Sequence, residues 1–260
     1  YLAAAPLLYL PLFLYFLPRS AIPPLGWLCI AATGVVYFGY FVGLAVAYRE
    51  NELSFAYPLI RGLGPALAFV GGIFLLSEQP TVWGSCGVGL ILAGVIVLNW
   101  RGGKPGSLVT QFQSLATPST RAALFVGLMY CFYSLIDKVG VGRLHVNPPV
   151  YIYLTYMATA LLVVPWVLWR RGVKALWQEW RANSHTCLAV GGLNLLAYLM
   201  VLYAMSLPNT PVSYIVPLRT TSVLIGVLLG VGVLGEGRLP TKMSVAFMVM
   251  AGIALMTWKG

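Results

Sequence analysis

Charge is scarce in this 260-residue chain: 8 % of residues are Asp, Glu, Lys or Arg, and only six of them are acidic. A soluble domain of this length needs a far more polar surface. The two histidines, His145 and His185, lie far apart in loops. The four cysteines (Cys29, Cys86, Cys131 and Cys187) stand singly, with no CxxC spacing. Disulfide frameworks and structural metal sites need paired, loop-borne ligands. The cysteines therefore read as small hydrophobes, and no metal or other cofactor is expected. Neither HExxH, GxSxG nor a Walker A sequence occurs, and no cluster of acids or nucleophile–base pair lies within an apolar stretch. GVGVLG at 230–235 has dinucleotide-loop spacing, but that fingerprint needs a strand before it and a helix after it. Here it closes an apolar run, where glycines suit close helix packing.

Hydrophobic residues fill the space that charge leaves, at 60 % of the chain and a mean hydropathy of +0.86. A bilayer core about 30 Å deep takes roughly 20 apolar residues per helix. Nine such stretches occur, near 1–17, 27–47, 53–76, 80–100, 122–142, 149–169, 186–206, 210–235 and 239–258. They are too long for barrel strands and lack period-2 alternation. The expected fold class is an all-α polytopic membrane protein. The first stretch is apolar from Tyr1 onward, without the basic region or cleavage site of a signal peptide. It reads as a chain that starts inside a helix. Net charge is +10, yet the cations sit in short loops between apolar stretches, as the positive-inside rule requires. No nucleic-acid partner is expected.

A shift of 158 residues lays unusual positions over one another: Arg61 on Arg219, Glu78 on Glu236, Tyr40 on Tyr198 and Trp100 on Trp258. AGVIVLNW overlays AGIALMTW without a gap. Apolar residues coincide by chance in any two spans, whereas an arginine and a glutamate at matched separation do not. The chain thus reads as a duplication: a first repeat at 1–100 lacking its first helix, a polar linker at 101–121, and a second repeat at 122–260. Five spans per repeat is an odd number, so the two repeats insert in opposite orientations. Many secondary transporters share that plan and place their substrate site near the midplane.

YPLIRGLGPALAFVGGIFLLSEQPTVWGSCGVGLILAGVIVL (57–98) and VSYIVPLRTTSVLIGVLLGVGVLGEGRLPTKMSVAFMVMAGIALM (212–256) share one layout: a span ending in Glu, a tight turn, then a Gly-containing span. In this the chain resembles the EamA-like branch of the drug/metabolite transporter superfamily. The resemblance implies ten helices in two inverted five-helix repeats, nine of them visible here, and secondary transport with export as the usual direction. It also implies an integral protein of the bacterial cell (inner) membrane. It is uninformative about substrate.

Arg61 and Arg219 lie eight or nine residues into their spans, each after a proline (Pro58, Pro217) that frees backbone carbonyls. A guanidinium inside a span costs about 2.5–3.5 kcal/mol on insertion scales, so it faces a cavity or a partner. The two arginines either contact solute or bond neighbouring helices. Asp137 and Lys138 are the other intramembrane charges. Helix neighbours point about 100° apart, so the two do not simply neutralise each other. Asp137 is the carboxylate placed within a span, and thus the candidate proton carrier. The alternative is an interfacial pair near a helix end. Tyr57, Tyr130 and Tyr133 are candidate cavity aromatics, with helix packing as the alternative. Glu78 and Glu236 end their helices, where an acid suits the N-terminus of the next helix.

These features lead to a secondary transporter that moves a small polar metabolite by alternating access. Two arginines and a lysine lean toward an anionic or zwitterionic solute, amino acids included. Without an ATP-binding element the energy comes from gradients, with proton coupling through Asp137. The partners are the solute and the lipid bilayer; oligomeric state is left open. The competing reading is a non-transporting integral membrane protein, such as a lipid-modifying enzyme or accessory subunit.

Loops separated by two spans share a face. One face collects ten loop cations, among them Arg101, Lys104, Arg170 and Arg171, and the other three. Positive-inside puts the ten in the cytoplasm and Gly260 outside; the family resemblance implies the reverse. With single cysteines introduced as Ser107→Cys and Gly260→Cys in a background lacking the native four, a membrane-impermeant thiol reagent on intact cells should label position 260 and spare 107. The opposite pattern refutes the charge-based orientation.

Overall fold

The computed structural model describes residues 2, 4–50, 53–99, 118–219, 247–248 and 250–255; at 4, 48–50, 53–62, 95–99, 118–120 and 123 it describes the backbone alone. Among these residues the chain is helical and has no strand. Helix α1 (Ala4–Phe16) ends in a 3-10 turn and is followed by α2 (Pro24–Glu50), α3 (Leu53–Leu76) and α4 (Val82–Asn99). Helix α5 (Pro118–Asp137) runs into a π-helical turn, Lys138–Arg143; α6 (Pro148–Ser206) and α7 (Val212–Arg219) follow. Helix α5 begins at Pro118, within the stretch 101–121 expected as a polar linker. Glu236 and GVGVLG lie outside the described residues.

Three of the described helices are long and apolar enough to cross a membrane: Pro24–Ala47, Leu124–Arg143 and Pro148–Ser206. Ala5–Arg19, Leu63–Leu76 and Val82–Gly94 are shorter apolar helices. The third long helix is two limbs in one run. Its backbone leaves helical geometry at Gly172 (φ 76°, ψ 165°) and at Asn183 (φ −129°, ψ 23°). Glycine is the residue that adopts the first of these without strain. The separate spans expected at 149–169 and 186–206 correspond to the two limbs.

The chain divides into two compact units: Tyr1–Gly39 with Ile136–Thr210, and Tyr40–Leu135 with Pro211–Gly260. Each joins a segment that begins before residue 100 to one that begins after residue 120.

In the first unit the limbs of α6 fold back as a hairpin. Tyr156 on one limb meets Asn194 on the other at 3.5 Å. Helix α1 lies across both, with Phe13 stacked on Tyr153 (4.0 Å between centroids) and the Tyr9 hydroxyl donating to the Gly192 carbonyl at 3.0 Å. Helix α2 approaches the first limb where Gly34 meets Ala158; a Cβ on Gly34 would sit 2.7 Å from the alanine methyl.

In the second unit α3, α4 and α7 meet. Buried Val88 and Ile91 of α4 pack against Phe69, Tyr214 and Ile253. After α3 the chain turns through Ser77 (φ 56°), and Glu78 donates its N–H back to the Gly72 carbonyl at 3.1 Å. The Glu78 carboxylate then accepts the N–H groups of Val212 (2.7 Å) and Ser213 (2.9 Å), the first of α7. This corrects the sequence expectation: the acid caps a helix 134 residues further on, not the helix that follows it. The positive end of a helix and its orphan donors explain the attraction. Gly72 permits the approach, since a Cβ there would come 2.6 Å from the carboxylate. Nearby, the Tyr214 hydroxyl accepts the Thr81 N–H at 2.7 Å, tying α7 to the start of α4.

Two charge-assisted bonds at a helix end stabilise by about 1–3 kcal/mol. Glu78→Ala should therefore lower the midpoint of thermal unfolding in detergent, and Glu78→Gln, which keeps one acceptor oxygen, should lower it less. Equal midpoints for all three proteins would show that the cap is not a stabilising contact.

Candidate functional site: a buried carboxylate in a hydroxyl cage

Asp137 ends α5 and is fully buried, at 0 % exposure. An isolated carboxylate cannot be buried cheaply without hydrogen-bond partners. Here Oδ1 accepts the Thr33 hydroxyl at 2.8 Å and the Tyr151 hydroxyl at 2.8 Å, and Oδ2 accepts the Tyr198 hydroxyl at 2.5 Å. These donors come from α2 and from both limbs of α6. Around them Tyr37 makes edge-to-face contacts with Tyr156 (6.1 Å) and Tyr198 (5.9 Å).

Local sequence explains each placement. Pro148 and Pro149 open α6, where missing N–H groups do no harm. The Tyr151 N–H bonds the Asn147 carbonyl at 2.9 Å, fixing Tyr151 on the first turn. Its ring crosses Gly140 in the π-helical turn, and a Cβ on Gly140 would collide with that ring. The close contact of Gly34 with Ala158 brings neighbouring Thr33 within reach of the carboxylate. Single π-helical turns are frequent at functional positions.

The arrangement has a chemical consequence. Thr33 Oγ1, Tyr151 Oη and Asp137 Oδ1 form a triangle, its third edge the 3.0 Å Thr33–Tyr151 contact. The two hydroxyls carry one hydrogen each. When both donate to an ionised carboxylate, the third edge has no hydrogen. A proton on Oδ1 supplies the one that closes the ring. The same oxygen positions thus suit the ionised and the neutral acid.

Lys138 points elsewhere, as the 100° offset predicts. Its ammonium donates to the carbonyls of Met205 (2.8 Å) and Thr210 (2.6 Å), at and just past the C-terminal end of α6. Cations suit that end of a helix.

The second unit holds Arg219, Tyr130 and Tyr133. The Arg219 guanidinium lies 5.9 Å from the centre of the Tyr130 ring, within cation–π range. Tyr130 and Tyr133 are 5.1 Å apart, and Tyr40 meets Tyr133 edge-on at 5.7 Å. Tyr130 packs on Gly64, where a Cβ would sit 2.8 Å from the ring. The side chains of Arg61 and Tyr57 lie outside the described residues. Sequence reasoning missed Thr33, Tyr151 and Tyr198 as site residues. Tyr198 was visible as the repeat mate of Tyr40, whereas Thr33 and Tyr151 carry no local signal.

With this geometry in view, comparison with known proteins is decisive about kinship. Residues 120–258 match the EamA-like transporter family. The chain belongs to that family. EamA-like proteins are transporters within the drug/metabolite superfamily. The chain is 36 % identical over 70 residues to the multidrug resistance protein EbrB of Bacillus subtilis, a match covering 27 % of this chain and 60 % of EbrB. It is 32 % identical over 77 residues to the quaternary ammonium compound-resistance protein QacE of Escherichia coli, covering 28 % of this chain and 70 % of QacE. A crystal structure 20 % identical in sequence aligns over 99 % of this chain and 95 % of its own, with a TM-score of 0.62. That likeness supports the fold of this EamA-like chain alone.

Overpacking at a tight contact costs about 1–3 kcal/mol. Gly140→Ala should displace Tyr151 from Asp137 and lower the unfolding midpoint by a few degrees, an effect that Tyr151→Ala in the same chain should largely remove. Additive losses in the double variant would mean that Gly140 and Tyr151 do not touch.

Proposed function

We propose that this chain is a proton-coupled secondary exporter of a small polar solute, working by alternating access in a ten-helix, two-repeat architecture. The observation that carries the proposal is Asp137, fully buried and held by hydroxyls from α2 and both limbs of α6. Ionisable groups inside a membrane bundle mark ion or proton pathways. When ionised, the carboxylate draws the three hydroxyls inward. Protonation removes the charge, closes the ring of Thr33, Tyr151 and Oδ1, and weakens the charge-assisted bond from Tyr198 to Oδ2. The packing of the α6 limbs on α5 thereby depends on the proton, the link that coupled transport requires.

Tyr151 lies on the first turn of α6 and Tyr198 in its last third, so the cage sits near the open end of the hairpin. If the tip between Gly172 and Asn183, with its loop cations, faces the cytoplasm, Asp137 lies on the outer side. Protons driven inward would meet it from there, which suits exchange for an outgoing solute.

Arg219, and Arg61 by the repeat, favour an anionic or zwitterionic solute. A second reading has its own support: the faces of Tyr40, Tyr130 and Tyr133 suit an organic cation, and QacE by its name confers resistance to quaternary ammonium compounds. In proteoliposomes with an imposed pH gradient, amino acids and small organic acids should be moved against their gradient, and tetraalkylammonium ions should not compete. Competition by the ammonium ions alone would select the second reading.

Two variants test the roles. Asp137→Asn should abolish the dependence of transport on the pH gradient while leaving solute exchange; unchanged gradient dependence removes Asp137 from the mechanism. Arg219→Ala and Arg61→Ala should each abolish transport with unfolding midpoints close to that of the parent. Loss of folding in both would make the arginines structural.

A further inference from the structure

The tip of the α6 hairpin has features that neither transport nor the cage uses. Between the backbone breaks at Gly172 and Asn183 the chain is again helical. Val173, Leu176, Trp177 and Trp180 recur at i, i+3, i+4 and i+7, which places them on one face. That face is uncovered: Val173 is 70 % exposed and Trp177 55 %, and Trp169, just before the first break, is 79 % exposed. Lys174 and Arg181 flank that face, roughly a quarter-turn from its centre, and Gln178 lies further round. Arg170 lies 5.5 Å from the Trp169 ring and Arg181 5.2 Å from the Trp177 ring. Four cations between 170 and 181 face a single carboxylate, Glu179, whose Oε1 accepts the Asn183 amide at 2.7 Å.

We propose that residues 173–182 form an interfacial helix that binds anionic phospholipid. The occupant follows from three observations. The limbs on either side belong to a run apolar enough to cross a membrane, so a segment that breaks away from both emerges at the bilayer surface. Tryptophan seats at the headgroup level, with its apolar ring toward the acyl chains and its N–H toward water. The cations flanking those rings then lie at phosphate depth, where they pair with anionic headgroups. An amphipathic helix with Lys and Arg on one face and Trp and Leu on the other lies in the plane of the interface. The inference rests on α6 crossing the bilayer but not on proton coupling, so Asp137 can fail its test without affecting this helix.

Two measurements on the full chain in nanodiscs test it. Nitroxide labels attached at Val173→Cys, Leu176→Cys and Gln178→Cys, in a background lacking the native cysteines, report collisions with oxygen, which enriches in lipid, and with a water-soluble nickel complex. The labels at 173 and 176 should favour oxygen and the label at 178 the nickel complex. Nickel access at all three would overturn the proposal, as would shielding from both reagents at 173 and 176, the signature of a protein partner or second copy. Native mass spectrometry then compares phosphatidylglycerol with phosphatidylcholine. Retention of phosphatidylglycerol should exceed that of phosphatidylcholine at least about fivefold and fall to the same level in the R170Q/R171Q/K174Q/R181Q variant. Equal retention of the two lipids by the parent, or an unchanged ratio in the variant, contradicts an anionic-lipid site.

Discussion

A carboxylate removed from water must find its solvent within the protein, and the first unit is organised around that need. Asp137 is fully buried, and Thr33, Tyr151 and Tyr198 stand in for the water it has lost. Because those hydroxyls belong to different helical segments, α2 and both limbs of α6 must all converge on the end of α5. The close approaches follow from this. Gly34 lets α2 lie on Ala158, and Gly140 lets the Tyr151 ring cross the π-helical turn. Lys138 fastens the same turn to the end of α6 through the carbonyls of Met205 and Thr210. Charge and packing are therefore one problem here, solved at one depth of the bundle.

The second unit uses the same physics at a helix terminus. Glu78 meets the positive end of α7, and its two oxygens satisfy two N–H groups that no helical carbonyl reaches. Tyr214, one residue further along α7, ties the start of α4 to it. Arg219 ends the described part of α7 against the face of Tyr130, so a costly guanidinium has an aromatic neighbour. In a chain with six acidic residues, two of them thus hold together segments far apart in sequence.

Class and helix positions were legible in the sequence because hydrophobic length is a strong signal: α2, α3, α4 and both limbs of α6 lie where apolar stretches predict them. The separation of Asp137 from Lys138 was also legible, since helix geometry alone sets neighbouring side chains about 100° apart. The cage was not. A threonine and a tyrosine in an apolar span look like packing residues, and what makes Thr33 and Tyr151 part of the cage is a contact across 104 and 14 residues of chain to Asp137. Glu78 was read as a cap, but on the helix next in sequence; capping geometry names a kind of partner without saying which helix supplies it. The tip of α6 read as a loop because its cations dominated, and the apolar i, i+3, i+4, i+7 set became visible only once the backbone breaks framed it.

Proton coupling through the cage requires Asp137 to take up and give up a proton there. Infrared spectroscopy of the purified protein in lipid reports this directly, because a protonated carboxyl and a carboxylate absorb at different frequencies. As pH is varied across roughly 4 to 9, the range over which carboxyl groups in proteins titrate, a protonated-carboxyl band should appear and vanish. It should be missing in Asp137→Asn and shifted in frequency in Tyr151→Phe and Tyr198→Phe. A band that persists unchanged in Asp137→Asn, or a carboxylate that stays ionised throughout that range, would contradict the account.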